Sequence, residues 1–434
     1  MFLLVRRFVL LLLLLLTLAA CGAAPAGNTS DAAATTAPAA ATTGAAEATE
    51  AITPAADVTT EATEVATAAV VETATTAAGA AATGAGLSGE IPVGFVFSMT
   101  GAGAPYGPSQ RNGIELAVEE INASGMLGSA KIRAIVEDDA SKPEQAIQVF
   151  TKLITQDNVV AIVGPTLSNS AKSSDPVAQE NKTLVLGVSN TAAGITEIGD
   201  YVFRNSLPES AVIPNTIKVA KEKLGLAKVA VMYGNDDAFT KGGYDVFKQA
   251  LDAEGIEILT TETFAKGDTD FNPQLTKIAG LAPDAIVVSA LAEEAAGIMS
   301  QARALGIEVP FIGGNGFNSP KLAELAGPAA EGAISGAAWF VGNDTPRNSA
   351  FVEAYSAKYG AQPDQFAAQA YDGAYLVATA IKNAGSTDRT AIRDAMDKIS
   401  DFEGVLGTFS FEQREPRHPP VVQVVKDGKF ELYR

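Results

Sequence analysis

The run VVAIVGPTLSNSAKSSDPVAQENKTLVLGV, residues 159–188, decides the fold. Val159 to Val163 is five apolar residues with no charge, the mark of a short strand buried on both faces. Gly164 and Pro165 break it. A helix is predicted from Ser168 to about Asn181, followed by a second buried strand from Thr183 to Val188. Two buried strands joined by a helical crossover run parallel, so this is a βαβ unit.

Outward from it, the alternation continues. Residues 91–97 read as a strand. Residues 108–123 place Ile114, Ala117, Val118 and Ile121 at helical spacing. A strand at 131–137 and a helix at 143–156, with Pro143 in its first turn, complete βαβαβαβ. The pattern then restarts: helix 210–224, strand 227–233, helix 241–254, strand 256–264, helix 272–279, strand 284–288, helix 292–305 and strand 309–312. Helices at 348–360, 366–384 and 388–399 precede strands at 405–411, 421–425 and 429–433. The fold class is α/β, with two doubly wound parallel-sheet lobes. Ligands bind such sheets outside the carboxyl ends of the strands, where strand order reverses. Two lobes can face those ends across one cleft and close on a ligand by hinge motion.

The first 88 residues are of another kind. Arg6 and Arg7 precede an apolar run from Phe8 to Leu16 that ends in Leu18-Ala19-Ala20-Cys21. A basic start, a short apolar stretch and small residues at its end read as an export signal, 1–21. The tetrapeptide resembles the lipobox of bacterial lipoproteins, which implies lipidation of Cys21, the only cysteine. Residues 22–88 are dominated by Ala and Thr, with no aromatic between Phe8 and Phe95 and no Lys or Arg between Arg7 and Arg111. Such a stretch buries too little apolar surface to offset chain entropy. It reads as a disordered stalk, roughly 45 Å in mean extension.

Composition removes several functions. The chain carries 31 basic and 50 acidic residues, a net charge of −19, which disfavours nucleic acid as a partner. His418 is the only histidine. It sits among prolines in Pro416-Arg417-His418-Pro419-Pro420 and reads as an exposed loop residue. A histidine-rich metal site is excluded, and no nucleophile–base constellation, phosphate loop or dinucleotide fingerprint is present. No enzyme activity, metal or cofactor is expected.

Markers spread along the body carry a resemblance: Met99-Thr-Gly101, Ala117-Val-Glu-Glu-Ile-Asn122, Ala161-Ile-Val-Gly164 with Ser168, Tyr201-Val-Phe-Arg204, Gly267-Asp-Thr-Asp-Phe271, Ala370-Tyr-Asp-Gly373 and Lys426-Asp-Gly-Lys-Phe430. In this order they resemble the branched-chain amino acid (Leu/Ile/Val type) substrate-binding proteins of ABC transporters, which have the type I periplasmic-binding fold. The resemblance implies three hinge crossings. It places lobe 1 at 89–208 and 338–412, and lobe 2 at 209–337 and 413–434. The stretch Glu412–Pro420 is longer than the turn expected there.

Ser168 stands where a strand gives way to a helix, so it either caps the helix or meets an anion at its positive end. The resemblance implies that Ser168 holds a ligand carboxylate. It likewise assigns Ser189 and Thr191 to ligand binding, Tyr106 to packing on the ligand, Phe239 to a place where a tyrosine is usual, and Phe366 to the cleft wall or the core. Asn315, in Gly313-Gly-Asn-Gly316, departs from the pattern: an acidic residue there holds the ligand's α-ammonium. An amide lacks that charge, and charge-assisted bonds are about twice as strong as neutral ones. An α-amino acid is the leading ligand, with amides, urea-like molecules and small carboxylates as alternatives. The expected role is an extracytoplasmic, lipid-anchored monomer that delivers ligand to an ABC permease. A sensory module feeding a receptor is the alternative.

Overall fold

The chain alternates strand and helix from Glu90 onward, in a computed structural model that describes residues 86–433. The export signal, Cys21 and nearly all of the 22–88 stalk lie outside the described residues. The first half runs β1 (Glu90–Phe97), α1 (Gly107–Ser124), β2 (Lys131–Asp138), α2 (Pro143–Thr155), β3 (Ala161–Val163), α3 (Ser168–Glu180), β4 (Leu184–Gly187) and β5 (Val202–Arg204). These strands form one parallel sheet in the order β2-β1-β3-β4-β5.

The second unit runs α4 (Glu209–Leu224), β6 (Lys228–Gly234), α5 (Ala238–Ala253), β7 (Glu257–Phe264), α6 (Asn272–Leu281), β8 (Ala285–Ser289), α7 (Ala292–Ala304), β9 (Phe311–Gly313), α8 (Pro320–Ala326) and β10 (Ile334–Ala337). The chain continues through α9 (Pro346–Tyr359), α10 (Gln365–Ala384), α11 (Arg389–Asp397), β11 (Phe402–Gly404), β12 (Gly407–Phe409), β13 (Phe411–Glu412), β14 (Glu415–Pro416), β15 (Val421–Lys426) and β16 (Lys429–Leu432). The second sheet has the order β16-β15-β10-β9-β8-β6-β7. Its β6–β10 neighbours pair in parallel, while β15 and β16 join antiparallel at one edge.

Burial explains why the strands read as unbroken apolar runs. Ile162 and Val185 face one helical layer with Phe150 and Leu153, while Val163 and Leu186 face the other with Ala370 and Ala374. The second sheet is likewise covered on both faces. Trp339, the only tryptophan, packs in the first core and donates its indole N–H to Asn348 Oδ1 at 2.8 Å.

Three expectations are corrected. The single strand predicted at 405–411 is two hairpins, β11–β12 and β13–β14. Val405 and Leu406 turn inward, where their N–H groups donate to Asp372 at 3.0 Å each. The chain does not pass to the second lobe at 413 either. The β13–β14 hairpin stays beside β5: Arg204 N–H donates to Arg414 O at 3.1 Å, and the buried Arg204 guanidinium pairs with Glu415. The passage to β15 is therefore 417–420, and the hairpin accounts for the extra length after Glu412. Finally, His418 is half-buried, its ring 5.7 Å from that of Phe409. Burial lowers its pKa to about 4.

Asp372 ties α10 to the β11–β12 turn. Burial is the largest influence on its carboxyl and raises the pKa from 3.8 to about 6, against the opposing pull of the two N–H donors. Asp364, buried at the start of α10, is raised to about 6 for the same reason. An acid whose folded pKa is raised contributes stability that is complete below its unfolded pKa and is lost as pH rises through its folded pKa. Thermal unfolding followed from pH 5 to pH 7 should therefore show a falling melting temperature, with these groups contributing about 1–3 kcal/mol each and the lowered His418, which gains stability as pH rises over the same range, offsetting part of the fall. Asp372→Ala, which strands two N–H donors, should melt lower throughout by about 2–5 kcal/mol and show a shallower fall. A melting temperature that rises over this range contradicts the account.

Candidate functional site

Strand order reverses at β1 in the first sheet, between β2 and β3, and at β6 in the second, between β7 and β8. Loops leaving the carboxyl ends of flanking strands diverge there and open a crevice. In the first sheet the crevice receives Tyr106 after β1 and Thr166–Ser168 after β3. In the second it receives Asp237 and Phe239 after β6 and Leu291 after β8. Ser189 after β4, Asn315 and Gly316 after β9, and Phe366 at the start of α10 complete one shared cavity. Gly164 turns the chain at the β3 end with φ 120°, where a Cβ would lie 2.1 Å from Val96 O, so only glycine fits.

The cavity is narrow, about 20 Å³, with room for roughly one water. A solute of amino-acid size enters only when the lobes part. Its walls are apolar: Tyr106, Leu167, Phe239, Leu291 and Phe366 form one buried cluster, with the Tyr106 and Phe366 rings 4.6 Å apart.

Hydrogen bonds hold the two sides together. The Tyr106 hydroxyl accepts from Ala292 N–H at 2.8 Å and donates to Gly316 O at 3.1 Å. Asn169 Nδ2 donates to Asp237 Oδ2 at 2.8 Å, and Asn169 Oδ1 accepts from Ala238 N–H at 2.9 Å. Ser319 Oγ donates to Pro105 O at 2.7 Å.

Ser168 is not the helix cap. It is the first residue of α3, the N-cap is Leu167, and no side chain caps this end. The first helical hydrogen bond is Ala171 N–H to Leu167 O, so the N–H groups of Ser168, Asn169 and Ser170 find no acceptor among the described residues. Ser168 Oγ accepts from the N–H groups of Thr191 and Ala192, both at 3.3 Å, and its own O–H hydrogen has no acceptor among the described residues. The cavity thus has unspent donors on a positive helix end.

Its acceptors each hold at least one hydrogen bond. Ser189 Oγ donates to Thr166 O at 2.7 Å and accepts from Gln110 Nε2 at 2.9 Å. Ser189 O accepts from Asn315 Nδ2 at 3.1 Å. Asn315 Oδ1 accepts from Gln365 Nε2 at 2.7 Å, and Gln365 Oε1 accepts from Ala338 N–H at 2.6 Å. Asp237, the one carboxylate on the wall, caps α5 by accepting from Phe239 and Thr240 N–H and spends its other oxygen on Asn169. Burial raises its pKa.

Six of the seven residues singled out from sequence line the cavity: Tyr106, Ser168, Ser189, Phe239, Asn315 and Phe366. Thr191 does not. Its hydroxyl turns away and donates to Glu209 Oε1 at 3.2 Å. Glu209 escaped sequence reading, because an acid in the first turn of a helix is ordinary. It is buried, and its Oε1 also accepts from Asn315 N–H at 3.1 Å, while Oε2 has no partner among the described residues. Burial raises its pKa to about 7. With Thr191, Arg204 and Glu415 it lines a separate 140 Å³ cavity beside the 208–210 crossing.

This architecture has relatives. The model of a family described as periplasmic binding protein matches residues 90–429. A leucine-, isoleucine-, valine-, threonine- and alanine-binding protein of Pseudomonas aeruginosa is 26% identical over 325 residues, 75% of this chain and 86% of that one. The crystal structure of the branched-chain amino acid transporter substrate-binding protein LivJ from Streptococcus pneumoniae, in complex with isoleucine, is 34% identical with a TM-score of 0.76, covering 79% of this chain and 98% of that one. An ABC transporter solute-binding protein from R. palustris in complex with benzoate is 27% identical with a TM-score of 0.72, covering 79% and 95%. With two parallel sheets whose switch points share one cleft, and a family match over nearly the whole folded body, the chain belongs to the periplasmic binding proteins, extracytoplasmic solute-binding proteins rather than enzymes.

Proposed function

We propose that this chain is the substrate-binding component of an ABC importer. It is exported, lipidated at Cys21 and held by the 22–88 stalk at the extracytoplasmic face of a membrane. It captures a small carboxylate-bearing solute between its lobes and delivers it to a permease. The observation that carries this reading is the uncapped end of α3, with the free Ser168 O–H, opening into the apolar interlobe cavity. A carboxylate accepts several hydrogen bonds and is favoured at a helix N-terminus. The aromatic walls take its apolar part.

The mechanism is reversible binding coupled to closure. A ligand shifts the open–closed balance by the difference in its affinity for the two states. Donors on the first lobe and Phe239 and Leu291 on the second both reach the ligand only when the lobes are closed, so binding favours closure. Two ligand classes suit the cleft. A branched-chain or other α-amino acid follows the relatives' names. A carboxylate without an amino group is favoured by the neutral Asn315, and one relative holds benzoate.

Three measurements test this reading. Titration calorimetry with leucine, valine, isobutyramide, urea and benzoate should find a ligand, and Ser168→Ala should weaken it by about 1–3 kcal/mol. Unchanged affinity removes Ser168 from the site. Tyr106→Phe keeps the ring but strands Ala292 N–H and Gly316 O. It should weaken binding by a similar amount through loss of the closed state, seen in small-angle scattering as a larger radius of gyration with ligand present. Cys21→Ser should move the protein from the membrane to the soluble fraction, and a variant that still sediments with membranes contradicts lipid anchoring.

A further inference from the structure

We infer that Glu209 is a proton-linked latch: closing the lobes buries its carboxylate between loops of the two sheets and takes up a proton from solvent, so mildly acid solution favours the closed form. The inference rests on the reading that the lobes part and close.

Glu209 opens α4 at the first passage between the sheets, and its contacts come from both sides. From the first sheet, the Thr191 hydroxyl donates to Oε1 at 3.2 Å, and Thr191 O accepts from the Glu209 N–H at 3.3 Å. From the second, Asn315 N–H donates to the same Oε1 at 3.1 Å. Gly314 packs so closely that a Cβ there would stand 3.1 Å from Oε2 and 3.2 Å from Oε1. The residue is 3% exposed. Water reaches this carboxylate freely only when the two sets of loops separate.

The closed surroundings suit the neutral acid. Oε2 accepts no hydrogen bond among the described residues, so one oxygen is free to carry a proton, and the adjoining 140 Å³ cavity has room for water to accept that O–H. Three carboxylates line the cavity, Glu197, Glu209 and Glu415, against one cation, Arg204. Arg204 is committed to Glu415 and to Ala192 O, the latter at 2.8 Å. Lys172 Nζ, on α3, donates to Ala193 O at 2.9 Å, and on α5 the exposed Lys241 pairs with Asp245 at 3.4 Å. A buried charge without a dedicated partner is unfavourable, and a carboxylate relieves this by binding a proton. Burial accordingly raises the Glu209 carboxyl from 4.5 to about 7, against the opposing pull of its two donors and of Arg204. In the open form, where water solvates the group, it returns toward 4.5. Closure is therefore favoured as pH falls between these values, and that gain is lost as pH rises through about 7. Asp237 also meets a residue of the other sheet, but both of its oxygens hold hydrogen bonds.

Hydrogen exchange on the purified full chain tests this, with the protein unfolded and refolded to strip carried-over solute and the rates corrected for the intrinsic effect of pH. Protection of the loops at 189–194 and 313–318 should rise at least about threefold from pH 8 to pH 5.5. Glu209→Gln keeps Oε1 for Thr191 and Asn315 and places a neutral amide where Oε2 stands, so its protection should be the same at both pH values. Wild-type protection that does not change, or a pH dependence that survives in Glu209→Gln, overturns the inference. Where that variant fails to fold, Thr191→Val, which removes one donor from the same carboxylate, should move the midpoint of the profile to higher pH, and an unmoved midpoint overturns the inference equally. Protection of both loops as high as that of strand β8 at either pH means that the lobes do not part, which removes closure and the latch together.

Discussion

A parallel sheet with crossover helices on both faces has one place where its outgoing loops must part, the point at which strand order reverses. In this chain that constraint acts twice, at β1 and at β6, and the two crevices meet. Everything functional follows from the meeting. Tyr106 and Ser168 come from loops of the first sheet, Phe239 and Leu291 from loops of the second, and residues far apart in the chain become the walls of one cavity. The strands behind them are buried on both faces, so the loops rest on packed sheets.

Closure is held by polar groups that the cleft supplies to itself. Tyr106, Asn169, Asn315 and Ser319 each cross from one side to the other through hydrogen bonds. What they leave open is informative. Donors without an acceptor remain at the end of α3, while acceptors along the wall each hold at least one hydrogen bond. Polarity of this kind selects by chemistry as well as by size, because a buried polar group left unmatched costs more than a matched one contributes. Relatives of this fold hold isoleucine in one case and benzoate in another.

Much of this was legible in the residues. Buried strands read as apolar runs, and Ser168 stood out because it follows Val159–Val163 and a Gly-Pro break. Asn315 was visible as an amide where the resemblance implies an acid. The misreadings share a cause. β5 is three residues long and ends in an arginine, Arg204, that is buried because Glu415 reaches it from more than two hundred residues away. Thr191 and Glu209 pair across the first crossing, a contact that no local pattern marks. The 405–411 stretch looks like one strand until Asp372 draws Val405 and Leu406 inward.

The sequence by itself determined the α/β class, the two sheets, the loops that meet at the cleft, and the aromatic and serine character of its walls. These depend on local periodicity and on the order of elements, which short stretches encode. The tertiary structure alone decided which polar groups are already satisfied. It made Ser168 an open donor rather than a cap, turned Thr191 toward Glu209, and set the Asn315 amide against Ser189 O through Gln365. Hydrogen-bond satisfaction depends on distance and direction between residues remote in the chain, and only the packed lobes fix both.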